Sequence, residues 1–306
     1  MRIVRESVGV RVPATSANLG PAFDAMGLAL ALHDTIEVRT TSGRTEVDVV
    51  GHGAGTLPTG EDHLVVRALR AGLDHAGAPQ VGLRLRCTNR VPHGRGLGSS
   101  AAAVVAGVLA ARGLIEDPGV LDDSVVLALA TDFEGHPDNA APALLGGATI
   151  AWVDPAGPRA VRIDVAPGLA PAVFVPDARL ATSTARAVLP PRVPHADAAH
   201  NVGRAALLVV ALAGRPDLLL PATEDRLHQV YRSDVMRPSL ELLASLREEG
   251  VPAVISGAGP SVLVLDGLTE RAAAVHASPG WEVLRPQVDL SGAVVVPAGP
   301  GRSRQS

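Results

Sequence analysis

Apolar and polar positions alternate over residues 8–12, 35–39 and 45–50, and Val81, Leu83, Leu85 and Cys87 occupy every second place in a further run, so these segments predict half-buried strands. Elsewhere the period is helical. Leu64, Ala68, Leu69 and Leu73 share one face of a helix over 62–75. An alanine-rich run at 101–111, with Val104, Val105, Val108 and Leu109, predicts a second helix. Helices follow over 122–132 and 140–145, the latter stopped by Gly146 and Gly147, and a strand over 148–153. Residues 12–27 hold prolines, glycines and small polar side chains, and read as an ordered loop.

Pro155, Pro158, Pro167 and Pro171 then crowd one stretch and place a boundary there. Beyond it, strands at 172–175, 253–255 and 261–265 are interspersed with helices at 198–213, 227–231 and 240–249. The expected organisation is an N-terminal domain over 1–153, a connecting segment over 154–171, a C-terminal domain over 172–296 and a loose polar tail over 297–306. Strands and helices mixed in both halves predict an α+β fold.

The strand ending at Cys87 leads into Val91-Pro92-His93-Gly94-Arg95-Gly96-Leu97-Gly98-Ser99-Ser100-Ala101-Ala102-Ala103. Glycines at alternate positions let the backbone take conformations closed to other residues, and the helix start that follows presents free N–H groups. Such a loop suits a phosphate. It is not a Walker loop, because the chain has no lysine and all 27 of its basic residues are arginines. Nor is it a dinucleotide fingerprint, since Ser99 and Ala101 stand where G-x-G-x-x-G needs its last glycine.

Composition narrows the field. A net charge of −4, with no basic run interleaved with aromatics, leaves nothing to attract nucleic acid. Apolar stretches such as 205–213 are too short for a bilayer, and residues 1–6 lack the apolar core of a signal peptide, so no membrane partner and a cytoplasmic location are expected. The single cysteine, Cys87, allows no internal disulfide. Ten histidines form no H-E-x-x-H, and no structural zinc is expected.

Two other segments carry chemistry. In the loop Val12-Pro13-Ala14-Thr15-Ser16-Ala17-Asn18-Leu19-Gly20-Pro21-Ala22-Phe23-Asp24, Asn18 can both donate to and accept from a hydroxyl and Asp24 can hold an ammonium, although the polar residues could equally cap a turn. In Glu134-Gly135-His136-Pro137-Asp138-Asn139, a carboxylate near phosphates can hold Mg²⁺, or Asp138 and Asn139 can cap the next helix.

Pro92, Gly94, Gly96 through Ser100 and Ala101 resemble the nucleotide loop of the GHMP kinases, P-x-G-x-G-L-G-S-S-A. Residues 13–24 resemble the opening signature of one branch, the homoserine kinases, with Ala22 where glycine is usual, and 134–139 resemble its E-G-H-P-D-N. Ile255-Ser256-Gly257-Ala258-Gly259-Pro260-Ser261 is similar to the third superfamily signature. Thr182-Ser183-Thr184-Ala185-Arg186 resembles a shortened S-T-x-x-A-R, and residues 224–232 resemble E-D-x-x-H-x-x-Y-R.

The resemblance implies a two-domain fold with a ferredoxin-like C-terminal half. It implies ATP bound by residues 92–102, and Mg²⁺ on Ser100 and Glu134, with Asp132 a rival for the metal. L-homoserine would be held by Asn18, Asp24, His136, Asn139, Arg186, Arg232 and Gly259. Asn18 and Asn139 would orient the hydroxyl, and the two arginines would grip the carboxylate, for which a planar fork is suited. The product would be O-phospho-L-homoserine, a precursor of threonine. Other small-alcohol kinases and non-catalytic binding relatives share the frame; Asp24 favours an amino acid, and Ser100 with Glu134 favours a catalyst. A homodimer is compatible with the resemblance.

Overall fold

The computed structural model describes residues 1–297. Its strands and helices run β1 (Ser7–Ala17), β2 (Met26–Thr41), β3 (Glu46–Gly51), α1 (Leu64–His75), β4 (Gly82–Asn89), α2 (Ser99–Leu114), α3 (Asp123–Glu134), α4 (Ala140–Leu145), β5 (Ala148–Asp154) and β6 (Gly157–Ile163). There follow β7 (Ala172–Pro176), α5 (Thr182–Ala187), α6 (His195–Gly214), α7 (Leu219–Ala222), α8 (Ser233–Glu248), β8 (Ala253–Ile255), β9 (Val262–Val264), α9 (Glu270–His276), β10 (Trp281–Leu284) and β11 (Val294–Val296).

The first sheet is ordered β11-β1-β2-β4-β3, and β5 joins β2 and carries β6. Only β3 and β4 pair in parallel. Helix α2 is almost wholly apolar because it is buried on nearly every side from Ala101 to Leu114, only Ala103 and Arg112 being half-buried. It packs with α1 against this sheet through Val65, Leu69, Val104, Val108, Leu85 and Val10. The second sheet is antiparallel and ordered β10-β7-β9-β8, which with α8 and α9 gives the β-α-β-β-α-β arrangement of a ferredoxin-like unit. A further apolar cluster, including Leu19, Leu28, Leu97, Val173, Val254 and Leu263, joins the two sheets. Among the described residues no helix is long and apolar enough to cross a membrane.

The structure differs from the sequence reading in four places. Both ends of the loop expected over 12–27 are strand, because β1 continues to Ala17 and β2 starts at Met26. Val12 through Ala17 are all buried, so both faces are covered and the alternation that marks a strand is lost. The helix expected over 227–231 is replaced by a turn and a 3₁₀ segment at Val230–Arg232. There the Asp225 carboxylate accepts from the amides of Leu227, His228 and Gln229, a local alternative to the helical ladder. Strand β6 lies within the stretch read as a connecting segment. Finally, β11 belongs to the span assigned to the second domain but pairs with β1 in the first sheet. The expected loose tail lies, from residue 298 on, outside the described residues.

The chain returns to the first sheet past Asp289, whose carboxylate accepts from the amides of Ser291 and Gly292 at 2.8 and 2.7 Å and pairs with His33 Nε2 at 2.6 Å. Burial raises this carboxyl, but the His33 and backbone hydrogen bonds outweigh it and hold Asp289 below the ordinary aspartate range. A depressed pKa adds stability that is full above the unfolded value, about 3.9, and is lost as pH falls through the folded one. Asp289→Asn is therefore expected to lower Tm at pH 7, with the gap to the parent chain closing between about pH 5 and pH 2. A gap independent of pH in thermal melts would mean that the charge contributes nothing.

Candidate active site

The glycine loop is wedged between two backbones. Gly96 and Gly98 have φ of 73° and 66°. A Cβ on Gly98 would stand 1.9 Å from Thr15 Oγ1, and one on Gly96 would stand 2.1 Å from the Ser256 carbonyl oxygen, so only glycine fits. Ser256 Oγ donates to the Gly96 carbonyl at 2.7 Å, and the Thr15 amide donates to the Leu97 carbonyl at 3.1 Å. Gly98 is the N-cap of α2 and makes no side-chain cap. The first amides of a long helix thus face the cleft, where an anion would satisfy them.

A cavity of about 290 Å³ opens in front of this helix start. Its walls include Gly94, Gly96 through Ser100, Glu134, His136 and Asn139 from the first half of the chain, and Thr182, Arg186, Arg232 and Gly257 through Gly259 from the second. Ser100 Oγ donates to Glu134 Oε1, and burial raises the Glu134 carboxyl above its ordinary value. A half-buried carboxylate and an exposed hydroxyl beside the glycine loop are the hard oxygen ligands that Mg²⁺ takes along with phosphate oxygens and waters. Asp132, the rival, is exposed and does not line the cavity. Among the described residues there is no group of three or more His, Cys, Asp or Glu that could hold a metal by itself.

The opening signature forms the turn between β1 and β2. Asn18 and Asp24 have φ of 63° and 53°, the left-handed region that Asn and Asp tolerate better than most residues. Ala22 is not among the residues with positive φ, so its methyl is no obstacle. Asn18 Oδ1 accepts from the Asp24 amide at 2.9 Å and Nδ2 donates to the Gly257 carbonyl at 3.0 Å, leaving one N–H and one lone pair free. Asn139 Oδ1 accepts from Thr15 Oγ1 at 2.9 Å, and its Nδ2 is left with only a long contact, 3.4 Å, to Asp138. His136 Nδ1 pairs at 2.5 Å with fully buried Asp138, a hydrogen bond that raises the histidine's pKa.

Arg232 is 1% exposed, and its Nε is buried without a partner. Among the described residues its side chain makes one hydrogen bond, from Nη1 to the Gly257 carbonyl at 3.2 Å. Burial, with Arg186 nearby, brings its pKa down to about 10. Its guanidinium lies 5.8 Å from the Phe23 ring centroid, and that of Arg186 lies 5.5 Å from the same centroid. His228 stacks on Phe23 at 5.0 Å and pairs through Nε2 with the Gly20 carbonyl at 2.7 Å, tying the E-D-x-x-H segment to the signature turn.

Not every candidate reaches the cavity. Ala101 and Ala102 are buried in the core of α2, and Pro92 is also buried. Arg95 turns outward to the carbonyls of Pro176 and Asp177 at 2.6 and 2.9 Å, so it braces the loop instead of reaching the cavity. His93 faces His52, 6.3 Å away between ring centroids, and burial with nearby positive groups lowers its pKa to about 4. Asp24 does not line the cavity and instead pairs with Arg186. Phe133 and Leu180 line it although the sequence reading passed over them; nothing in the apolar pattern separates them from core residues.

The family model described as GHMP kinases N terminal domain matches residues 63–147. The chain is 53% identical over 293 residues to a homoserine kinase of Streptomyces avermitilis, covering 95% of this chain and 96% of that one. It is 51% identical over 260 residues to a homoserine kinase of Mycobacterium tuberculosis, covering 83% and 82%. The crystal structure of homoserine kinase from Cytophaga hutchinsonii superposes with a TM-score of 0.82 at 26% identity, over 96% of this chain and 98% of that one. With a glycine loop, a carboxylate opposite it and paired arginines in one cleft, the chain belongs to the homoserine kinases of the GHMP kinase superfamily.

Proposed function

We propose that this chain transfers the γ-phosphoryl group of ATP to the side-chain hydroxyl of L-homoserine, giving O-phospho-L-homoserine and ADP. The observation that carries the amino-acid substrate is Arg232. A buried guanidinium with an unpartnered N–H and no carboxylate of its own is costly unless an anion completes it, and it stands on the wall of the cavity that begins at the phosphate loop. A substrate carboxylate supplies that anion in bidentate form.

Phosphoryl transfer through a loose transition state asks for alignment and charge neutralisation more than for covalent chemistry. The open amides at the start of α2 and the glycine loop hold the phosphates. Mg²⁺, when bound on Glu134 and Ser100, offsets charge on the phosphate oxygens. Asn139 directs its free amide edge at the hydroxyl, while Thr15 fixes the other edge. Asn18 holds the turn that carries Asp24. His136, positioned by Asp138, adds a polar wall on the substrate side. No lysine exists to act with an aspartate base, so the hydroxyl proton leaves to a γ-phosphate oxygen or to water. The reading includes a cytoplasmic setting. A homodimer is compatible with it.

ADP release across a panel of amino-acid and isoprenoid alcohols tests the reading: L-homoserine should support turnover and mevalonate should not. For the metal, Glu134→Gln keeps shape but removes charge and is expected to cut kcat by roughly 10²-fold with the fold intact by circular dichroism. Asp132→Asn should leave kcat unchanged; the reverse pattern would move the metal to Asp132.

Arg232→Lys keeps the charge but loses the fork. A lost bidentate contact to a charged group is worth about 1.5–3 kcal/mol, so KM for homoserine should rise roughly 10- to 150-fold while KM for ATP stays put. Arg186→Lys should shift the same constant in the same direction. If the ATP constant moves instead, the arginines serve the nucleotide and the carboxylate assignment fails.

A further inference from the structure

Asp24 and Arg186 are assigned to opposite ends of one substrate, yet in the structure they hold each other. Arg186 donates through Nη1 to Asp24 Oδ2 at 3.0 Å and through Nη2 to Oδ1 at 2.5 Å. The pair crosses the cleft, from the turn between β1 and β2 to the last turn of α5. Both arginines lie over Phe23, and among the described residues this is the sole ion pair that either of them makes. Asp24 therefore pairs with one of the two neighbouring guanidinium groups and leaves the other without an ion pair. A substrate carboxylate takes the Nη1–Nη2 edge of Arg186 only by parting it from Asp24.

We propose that the Asp24–Arg186 pair is a latch that discriminates between alcohols by charge, admitting zwitterions and rejecting hydroxy acids. The inference rests on the substrate reading above. An amino acid carries an ammonium and a carboxylate on one carbon and replaces both halves of the pair at once: its ammonium takes Asp24, and its carboxylate takes Arg186 and Arg232. A hydroxy acid without the amino group must pull Arg186 away and leave Asp24 with no counter-ion beside the incoming carboxylate. An amino alcohol without the carboxylate leaves two arginines uncompensated. Asp24 thus acts on molecules it does not bind, as a repulsive element set against the wrong substrate. The pair is partly exposed, with side-chain exposures of 32% and 36%, so it can open without unfolding its surroundings.

The test compares L-homoserine with 4-hydroxybutyrate, the same alcohol without its amino group, in the parent enzyme and in Asp24→Asn. Asparagine suits the left-handed backbone at this position. The variant is expected to lose about tenfold or more in kcat/KM for homoserine and to gain about fivefold or more for 4-hydroxybutyrate, since Arg186 is then free for a lone carboxylate. With no substrate added, amides of α5 should exchange hydrogen faster in the variant. If 4-hydroxybutyrate turnover is unchanged or falls, or if α5 exchange matches the parent, the latch is refuted while the ammonium assignment stands. If homoserine kinetics do not change at all, the substrate reading of Asp24 fails as well, and the latch with it. Should Asp24→Asn not fold, Asp24→Gly, equally at ease with positive φ, serves the same comparison.

Discussion

Three stretches of backbone meet where the glycine loop passes between the end of β1 and the turn after β8, and the rest of the site is arranged around that contact. Ser256 binds both Ser16 and the Gly96 carbonyl, the Gly257 amide donates to the Ala17 carbonyl at 3.0 Å, and Thr15 packs where Gly98 has no side chain. Residues from the two sheets are thereby locked together within a few ångströms of the first amides of α2. A loop whose hydrogen bonds were satisfied by solvent would be free to shift. This one is over-determined on both sides, and the turn between β1 and β2 packed beside it holds two left-handed residues, Asn18 and Asp24, whose backbone strain the surroundings must offset.

The same compactness shapes the electrostatics. Glu134 is a carboxylate withdrawn from water beside a phosphate loop, and Arg232 is a guanidinium withdrawn from water beside a substrate cavity; each lacks a full counter-charge in the protein. Such groups are retained where a ligand completes them, and their arrangement sorts the cleft into a cation side at Glu134 and an anion side at Arg232. Asp24 and Arg186, by contrast, complete each other, the arrangement on which the proposed latch rests. The substrate and magnesium nucleotide proposed for this chain would carry the complementary charges.

Much of this was legible in the sequence for reasons that are physical. Alternate glycines followed by two serines and an alanine helix admit few conformations, and the loop, the long helix α2 and the flanking strand lie where the pattern puts them. The period-two strands and the one-faced helix α1 were equally plain, because each has one face in the core. Legibility failed where a segment is buried on both sides. The end of β1 lost its alternation under the phosphate loop, and Phe133 looks like any core aromatic. It failed again where pairing is long-range: β11 joins β1 across almost the whole chain, and no local signal announces the partner. Arg95 misled for a third reason. Its place inside the glycine loop matches a phosphate ligand, but only the position of β7 shows that its hydrogen bonds are spent on the Pro176 and Asp177 carbonyls.

The absence of lysine, which rules out a Walker loop, has a second consequence at Arg232. Burial disfavours any cation, and a fully buried lysine can fall to a pKa of about 5–6 and arrive neutral at the site. An arginine starts higher and keeps its charge; even with Arg186 beside it, Arg232 remains at about 10, well above neutral pH. A buried carboxylate contact of the kind proposed here can therefore be built with arginine without losing the positive charge on which recognition would depend. The cost is geometric, because a planar fork must be aimed. The Gly257 carbonyl, which accepts from both Arg232 and Asn18, and the Phe23 ring beneath the guanidinium set that aim.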